Sequence, residues 1–346
     1  METVKLGKTG MNVSKIGLGG IPIQRVSEED AISVVKRCLS LGVNFMDTAN
    51  GYGTSEERIG KAITGNRKAI AIATKSAVRS NEQIWENLKL SIERLGVDCI
   101  DLFQLHNVAD QKALDSLADP DGPMNVLNKA KKDGLIKHIG VSSHSMDIAK
   151  ELVASGQFET IMFPFNFIAR EAAEELIPLA KEHDVGFIAM KPLAGGMLDN
   201  IEIAFKYLFQ FPDIVAIPGI ETVEEIEQIV QIASGPVEMT QAEKREMERL
   251  RAELDTQFCR RCGYCQPCKE DIQISMVMTI PTFTKRMPME RVFTGRLATQ
   301  MEKALNCSQC AECEEKCPYH LPIVEMVEKN TKWFYEEKKR FEEKMA

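Results

Sequence analysis

The chain has 346 residues, 44% hydrophobic and 27% charged, which is enough for one large domain and a small one. Its net charge of −8, without a basic block, argues against nucleic acid as a partner. No apolar run reaches the roughly 18 residues that a membrane span needs, and residues 1–10 lack the apolar segment of a secretory signal. We therefore expect a cytoplasmic globular protein.

The first elements in chain order are a β-hairpin and then a repeating pattern. Residues 3–6 and 12–16 predict two strands that flank a Lys8-Thr9-Gly10 turn. After the hairpin, short runs rich in Ile, Val and Phe alternate with amphipathic segments of about 10 to 15 residues. These runs are typical of buried parallel strands, and they cover residues 16–19, 44–46, 69–74, 100–105, 136–141, 160–163, 186–190 and 214–217.

The segments between these runs carry signals for helix starts. Ser27 opens a capping box, Asn81 and Ser145 are candidate N-caps, Pro123 suits a first turn, and Thr222 opens the last helix of the series. Eight strand–helix units within about 235 residues predict an α/β fold of the (β/α)8 TIM-barrel type. An open doubly wound sheet is the alternative, but residues 16–21 lack the G-x-G-x-x-G spacing that such a sheet usually carries.

Polar residues follow three neighbouring strands of this predicted barrel. Asp47, Lys75 and His106 each come directly after an apolar run, and Tyr52 lies in the loop after Asp47. In such barrels, the groups at the carboxyl ends of the strands meet at one mouth. A lone histidine or lysine there is usually structural, but four such groups together predict a catalytic site.

The surrounding motifs resemble those of the aldo-keto reductases. They are Asp47-Thr48-Ala49-Asn50-Gly51-Tyr52, Ala73-Thr74-Lys75, residues 101–106 (DLFQLH) and Gly140-Val141-Ser142. The resemblance covers roughly residues 1–235 and implies reduction of a carbonyl with hydride from a nicotinamide. It assigns Tyr52 as general acid, Lys75 as the cation that lowers the pKa of Tyr52, Asp47 as the partner of Lys75, and His106 as the group that orients the substrate.

The resemblance also suggests cofactor-binding residues, with some departures from the family pattern. Ser142 and Asn166 fall where the family holds the nicotinamide carboxamide, whereas Ser143 and Met162 replace the usual Asn and Gln. Glycine-bearing loops after strands seven and eight often bind phosphate in barrels, although these glycines could also be simple turn residues. The candidates in these loops are Lys191, Pro192, Leu193, Gly195, Gly196 and Gly219.

The loop predicted to meet the adenosine end is acidic. Residues 219–235 contain no Lys or Arg, but they do contain Glu221, Glu224, Glu225 and Glu227. Carboxylates repel the 2′-phosphate of NADPH. We therefore expect either a preference for NADH over NADPH or weak dinucleotide binding altogether.

Eight of the ten cysteines form two clusters near the C-terminus, and the second reads C-x2-C-x2-C-x3-C-P. This is the spacing of ferredoxin-type [4Fe–4S] ligands, so we expect two such clusters. A structural zinc site or a single cluster is the alternative. With this region, the chain resembles the branch of the aldo-keto reductases that carries a C-terminal 4Fe–4S ferredoxin-type domain. The candidate ligands are Cys259, Cys262, Cys265, Cys268, Cys307, Cys310, Cys313 and Cys317.

The fourth cysteine of each motif serves the other cluster in two-cluster ferredoxins. That rule groups Cys317 with the first three cysteines, and Cys268 with the three that begin at Cys307. The last gap of the first motif is only two residues, which makes this grouping less certain than the ligand set. The expected organisation is a barrel over residues 1–240, a linker helix over 241–257, a small helical ferredoxin-like module over 258–320 and a charged helix over 321–346.

Three functions remain open at this stage. The protein is an oxidoreductase whose clusters pass electrons to or from a partner protein, a reductase of a small carbonyl substrate whose clusters are structural, or a non-catalytic electron-transfer or redox-sensing protein. Hydride transfer moves two electrons and a cubane accepts one, so the first function favours a flavin between them. The glycine loops could hold a flavin phosphate instead of a dinucleotide.

Overall fold

The computed structural model describes residues 1–345. A two-stranded antiparallel sheet pairs Thr3 with Ser14 and precedes a sheet of eight parallel strands, counted over those residues. Isolated bridges from Ile16 to Ala216 and from Gly19 to Gly219 join the first strand to the last, so the sheet closes into a barrel. The predicted (β/α)8 fold is confirmed, and the open doubly wound sheet is ruled out.

The strands follow the predicted runs closely, because each run is apolar enough to be buried on both faces. The first barrel strand begins later than predicted, at Leu18, because Ile16 makes only an isolated bridge to Ala216. The strands are β1 (Thr3–Lys5), β2 (Asn12–Ser14), β3 (Leu18–Gly19), β4 (Phe45–Asp47), β5 (Ala71–Ser76), β6 (Ile100–Leu105), β7 (Ile136–Ser142), β8 (Thr160–Pro164), β9 (Gly186–Met190) and β10 (Ile214–Ile217).

The barrel helices lie outside the strands and begin where the capping signals predict, with two differences. Ser80, rather than Asn81, accepts the capping hydrogen bond of its helix, and the Ser145 side chain makes no such bond. The helices are α1 (Glu28–Ser40), α2 (Ser55–Ile63), α3 (Asn81–Leu95), α4 (Gln111–Asp115), α5 (Pro123–Lys132), α6 (Met146–Ala154), α7 (Leu176–Glu182), α8 (Ile201–Leu208), α9 (Val223–Ser234) and α10 (Gln241–Leu254).

The barrel has two apolar layers. Its interior is filled by strand side chains such as Phe45, Leu102 and Ile188, and the N-terminal hairpin adds Val4 and Val13 to the same cluster. The hairpin therefore closes the bottom of the barrel, while a larger cluster fills the space between strands and helices. The functional mouth lies at the opposite end.

The C-terminal module has a separate core built from short helices and a long final one. Phe334 of the final helix is buried against Phe293, with ring centres 5.3 Å apart, so this helix docks on the module. The module helices are α11 (Ile274–Met278), α12 (Ile280–Phe283), α13 (Met289–Phe293), α14 (Gly295–Ala304), α15 (Glu312–Glu315) and α16 (Ile323–Met345). Among the described residues, none of the helices combines the length and apolar character needed to cross a membrane.

The module sits over the mouth of the barrel. Arg25, which follows the first barrel strand, donates to the carbonyl of Thr284 at 2.8 Å, and Arg291 donates to the side chain of Gln24 at 2.7 Å. On the other side, Tyr264 donates to Asp147 at 2.7 Å. The carboxyl ends of the strands therefore face the module.

Candidate active site at the barrel mouth

The four predicted catalytic residues converge at this mouth. The Lys75 ammonium donates to Asp47 Oδ1 at 2.5 Å and to the carbonyl of Thr48 at 2.7 Å. Gln104, in the strand between Lys75 and His106, donates to Asp47 Oδ2 at 3.1 Å. Both oxygens of the Asp47 carboxylate are thus occupied, which fixes the position of Lys75.

Tyr52 and His106 lie beside this pair and face an open cavity. The Lys75 nitrogen is 5.1 Å from the centre of the Tyr52 ring. The rings of Tyr52 and His106 are nearly perpendicular, with centres 5.9 Å apart. Both side chains are half-buried and line a cavity of about 490 Å³. A carbonyl group in this cavity could contact both rings.

The protonation states follow from burial and from the nearby cations. Burial lowers the pKa of His106 to about 3, and Lys75, Arg79 and Arg261 add to this effect. His106 is therefore a neutral imidazole at physiological pH. Burial alone would lower the pKa of Lys75, but Asp47, Tyr52 and Glu56 together outweigh it, so the pKa is raised and Lys75 stays an ammonium.

The expected effect of Lys75, which lowers the pKa of Tyr52, is present but is outweighed by burial. Burial raises the pKa of Tyr52, and the opposing charges of Lys75, Arg286 and Arg261 do not overcome the effect. The phenol is therefore fully protonated near neutral pH, which is the form a proton donor needs.

A buried polar network adjoins the catalytic residues, and it was not predicted from the sequence. The hydroxyl of Thr74 donates to the carboxylate of Glu56 at 2.6 Å, and Arg94 lies 3.4 Å from that carboxylate. Glu56 is fully buried. Polar residues inside apolar strands, such as Thr74 and Gln104, were the available signal, because side chains in a strand interior need internal partners.

The predicted cofactor residues of the strand-seven and strand-eight loops line the catalytic cavity. The groove runs from the catalytic residues past residues 192–196 to Gly219. Ser142 also borders it, with its hydroxyl accepting the backbone N–H of Asn107 at 2.8 Å. The mixture of glycine backbone and polar side chains suits a dinucleotide. The lining members of the predicted set are Ser142, Lys191, Pro192, Leu193, Gly195, Gly196 and Gly219.

Asn166 has a different position from the other predicted cofactor residues. Its carbonyl oxygen accepts the backbone N–H groups of Ile168 and Ala169, both at 2.9 Å, and its amide donates to the carbonyl of Lys191. The side chain is fully buried and does not border the cavity. In this structure Asn166 shapes the loop that carries Lys191.

Glu221 and Glu225 make part of the groove acidic. Glu221 lies 3.3 Å from Arg25, and burial raises the pKa of Glu221 against the effect of that arginine. Glu225 completes a capping box and accepts the backbone N–H groups of Glu221 and Thr222. This part of the groove offers acceptors for hydroxyl groups and repulsion for a phosphate.

The module contributes cations to the mouth that the sequence reading did not predict. Lys285 donates to the carbonyl of Gly196 at 2.5 Å, and Lys285 and Arg286 border the catalytic cavity. Arg261 borders an adjoining cavity of about 520 Å³ that also contains Lys191 and Cys259. The module cations lie far along the chain from the strand ends of the barrel. Only the docking of the two domains could bring them to the mouth.

The cysteines of the module line two further cavities. One has a volume of about 20 Å³ and is bordered by Cys259, Cys262, Cys265 and Cys317. The other, of about 30 Å³, is bordered by Cys265, Cys268, Cys307, Cys310 and Cys313.

This arrangement fits a group larger than one ion. Zinc needs four thiolates about 2.3 Å from a single point, and no His, Cys, Asp or Glu group within residues 1–345 converges that tightly. The eight thiols instead surround two neighbouring cavities, and thiol donors are the ligands that iron–sulfur clusters prefer.

A parallel barrel with a buried Lys–Asp pair, a tyrosine and a neutral histidine at its mouth defines an oxidoreductase of the TIM-barrel class. Residues 15–202 match the family model described as the aldo/keto reductase family, and residues 258–322 match the model described as a 4Fe-4S dicluster domain. The chain belongs to the aldo-keto reductase family and carries a C-terminal 4Fe–4S domain.

Similar proteins include the uncharacterized oxidoreductase YqkF of Bacillus subtilis, 32% identical over 57% of this chain and 67% of that protein. Aldo-keto reductase YhdN of the same organism is 30% identical over 62% and 68%. Among solved structures, the holo form of aldo-keto reductase AKR11C1 from Bacillus halodurans has a TM-score of 0.63 and 26% identity, covering 72% of this chain and 96% of that one. A Klebsiella pneumoniae aldo-keto reductase in complex with NADPH shares the fold at 21% identity, with a TM-score of 0.61 and coverage of 72% and 94%.

Proposed function

We propose that this protein reduces the carbonyl group of a small substrate to an alcohol, and that its C-terminal module holds two [4Fe–4S] clusters that exchange electrons with a partner protein. The observation that carries the first part is the Lys75–Asp47 pair beside Tyr52 and His106 in one cavity. A reduced nicotinamide dinucleotide, the ligand of the Klebsiella neighbour, supplies hydride to the carbonyl carbon when bound.

Tyr52 gives its proton to the carbonyl oxygen as the carbon is reduced. The Lys75 ammonium, fixed by Asp47, stabilises the phenolate that this leaves. His106 is neutral because burial depresses its pKa to about 3, so its ring N–H can donate to the same oxygen without competing as an acid. Tyr52 thus donates the proton, while His106 orients the substrate.

The proton-donor role is tested by Tyr52→Phe, which keeps the ring and removes the hydroxyl. Loss of a general acid typically costs about 10²–10⁴-fold in rate. We expect kcat/KM for carbonyl reduction to fall in that range, with an unchanged far-UV circular dichroism spectrum. Turnover equal to wild type would remove Tyr52 from the mechanism.

The acidic part of the groove supports NADH as the preferred dinucleotide. Glu221 and Glu225 border the groove where a 2′-phosphate would lie, and a ribose hydroxyl could donate to Glu221. Fluorescence titration with NADH and NADPH should give tighter binding of NADH, with a smaller difference in Glu221→Gln. Tighter binding of NADPH by the wild type would overturn this preference.

The two cysteine cavities support two clusters, each bound by cysteines from both motifs. Cys317 borders the cavity of the first motif, and Cys268 borders that of the second, which is the grouping of two-cluster ferredoxins. Cys259 also borders the cavity beside the barrel mouth, whereas Cys310 is exposed. The thiols thus extend from the barrel towards the surface, as electron exchange with a partner requires.

Anaerobic EPR of the iron-replete protein tests the coupling between the two domains. We expect reduced-cluster signals after addition of NADH, without dithionite, in the presence of any flavin that the protein retains. Signals with dithionite alone would mean that the clusters are structural or reached only by a partner. The barrel would then act as a plain carbonyl reductase.

A further inference from the structure

Three cations from both domains surround the space between Tyr52 and the first cysteine motif. Lys191 comes from the loop after β9, whereas Arg261 and Arg286 come from the module. The two guanidinium groups stack on the ring of Phe283, 5.5 and 4.8 Å from its centre. Lys191 and Arg286 border both the catalytic cavity and the adjoining cavity of Arg261. The two cavities therefore meet at these cations.

None of the three cations has an acidic partner among residues 1–345. The neighbouring Arg260 shows the contrast, because it contacts both Asp255 and Glu171. The Nε atoms of Arg260 and Arg261 are both buried without a hydrogen-bond acceptor, but Arg261 lacks the ion pairs that Arg260 makes. Arg286 donates only to Thr282, through Nε to the carbonyl at 2.9 Å and through Nη2 to the hydroxyl at 2.6 Å.

Lys191 is held in place by a neutral chain. Its ammonium lies 2.8 Å from His144 Nε2, and His144 Nδ1 lies 2.8 Å from the carbonyl oxygen of the Asn107 side chain. Burial lowers the pKa of His144 well below its usual range, so the ring accepts from Lys191 and donates to Asn107. Burial and the charges of Arg261 and Arg286 also lower the pKa of Lys191 well below its usual range. Without an anion, burial and the two guanidinium groups thus disfavour the charged form of Lys191, and an anion bound here would favour that form.

Keeping unpaired cations in a partly buried site is costly, so their retention calls for an anion. A thiolate-ligated cluster at Cys259 would account for Arg261, which is its near neighbour in the chain. Lys191 and Arg286 border that side as well, but they also border the cavity that contains Tyr52 and His106. An anion where the two cavities meet would lie beside Lys191 and Arg286 and would face Arg261 across the adjoining cavity.

We propose that the substrate is a carbonyl compound that also carries a carboxylate, and that Arg261, Arg286 and Lys191 hold this carboxylate while the carbonyl faces Tyr52. The proposal rests on the proposed reductase function. In the balanced reaction, hydride from NADH goes to the carbonyl carbon and the Tyr52 proton goes to the oxygen. The products are a hydroxy acid and NAD⁺, and the carboxylate is unchanged.

The test compares 4-carboxybenzaldehyde with its methyl ester, which presents the same aldehyde without the charge. The anaerobically reconstituted full chain is assayed as wild type, Arg286→Gln and Arg261→Lys, with Arg296→Gln as control. Arg296 is an exposed arginine of the same module that donates to the side chain of Gln273. Iron content and the KM for NADH are measured for every variant.

We expect the wild type to prefer the acid over the ester in kcat/KM by about 10- to 100-fold, the usual range for a hydrogen bond to a charged group. Arg286→Gln should lose most of that preference, measured as the ratio of the two kcat/KM values within the same variant, while Arg261→Lys and Arg296→Gln should retain it. Equal use of acid and ester by the wild type would overturn the proposal. So would an Arg286→Gln variant that raises the KM for NADH but keeps the acid preference, since the anion would then be the pyrophosphate of the dinucleotide. Reduction of neither compound would instead contradict the proposed function itself.

Discussion

The barrel and the C-terminal module differ in how their folds are held together. The barrel buries apolar side chains in two continuous layers, inside and outside its strands. The module has one small core, and helices α11, α12, α13 and α15 have only four or five residues each. Helices this short are not stable alone in water. The comparison indicates that the barrel folds by burial, whereas the module depends on ligation of its cysteines.

The largest expected effect is that of iron loss, which should unfold the module and leave the barrel intact. Removal of iron by an anaerobic chelator, or the double substitution Cys262→Ala and Cys310→Ala, should unfold the module, because binding of a metal group by a small domain supplies much of its folding free energy. Limited proteolysis with mass spectrometry should then show cleavage throughout residues 258–345 and an intact barrel. A module that resists protease equally well without iron would contradict the comparison.

Replacement of one core phenylalanine in each domain should lower the stability of that domain by nearly as much. Phe103 is fully buried in the barrel, and Phe293 is buried in the module against Phe334 and Phe341. Each change to Ala should cost about 3–5 kcal/mol of unfolding free energy. We expect Phe103→Ala to lower the melting temperature of the barrel without loss of iron, and Phe293→Ala to lower iron content without change in the barrel transition. Loss of iron in both variants would show that the domains fold as one unit.

A pH-dependent effect should be confined to the barrel. The pKa of His106 is about 3 in the folded chain and about 6.5 when unfolded. Between these values the unfolded state binds more protons, so His106 makes the folded state less stable as the pH falls from about 6.5 towards 3. Melting curves over this range should be steeper in pH for the wild type than for His106→Asn, which does not titrate. Parallel curves would mean that His106 is not buried as a neutral ring.

The smallest effect concerns the helix that joins the domains. Thr240 caps α10 in a capping box, whereas Thr294 occupies the N-cap position of α14 without a capping bond. Thr240→Ala should cost about 1 kcal/mol, the usual value for loss of a cap, and Thr294→Ala should cost less. Chemical denaturation followed by circular dichroism would measure both. A larger cost for Thr294→Ala would contradict this assignment.

Most of the barrel could be predicted from the sequence because its signals are local. Ile100–Leu105, Gly186–Met190 and Ile214–Ile217 are strands with the predicted bounds, since each is an apolar run with a turn on either side. The convergence of Asp47, Tyr52, Lys75 and His106 followed from their places at the strand ends. The net shift of the Tyr52 pKa did not, because it depends on how deeply the phenol is buried.

The remaining parts of the site depend on contacts between distant residues. Arg261, Lys285 and Arg286 reach the mouth only because the module docks there, and no local pattern in the sequence predicts docking. Asn166 illustrates a second limit. Its sequence position suits a cofactor contact, but the loop after β8 turns its amide towards the backbone of residues 168, 169 and 191.

The position of the module over the mouth has a consequence for biosynthesis. Domains of a growing chain generally fold in order from the N-terminus, so residues 1–240 can form a closed barrel while the wall that supplies Arg261 and Arg286 is still missing. On the proposed dependence of the module on its clusters, that wall would take shape only after the last cysteine, Cys317, has been made and iron and sulfide have been delivered. In a cell short of iron, the nascent chain would then stop at an open barrel that holds Tyr52 and Lys75 but lacks the proposed carboxylate site.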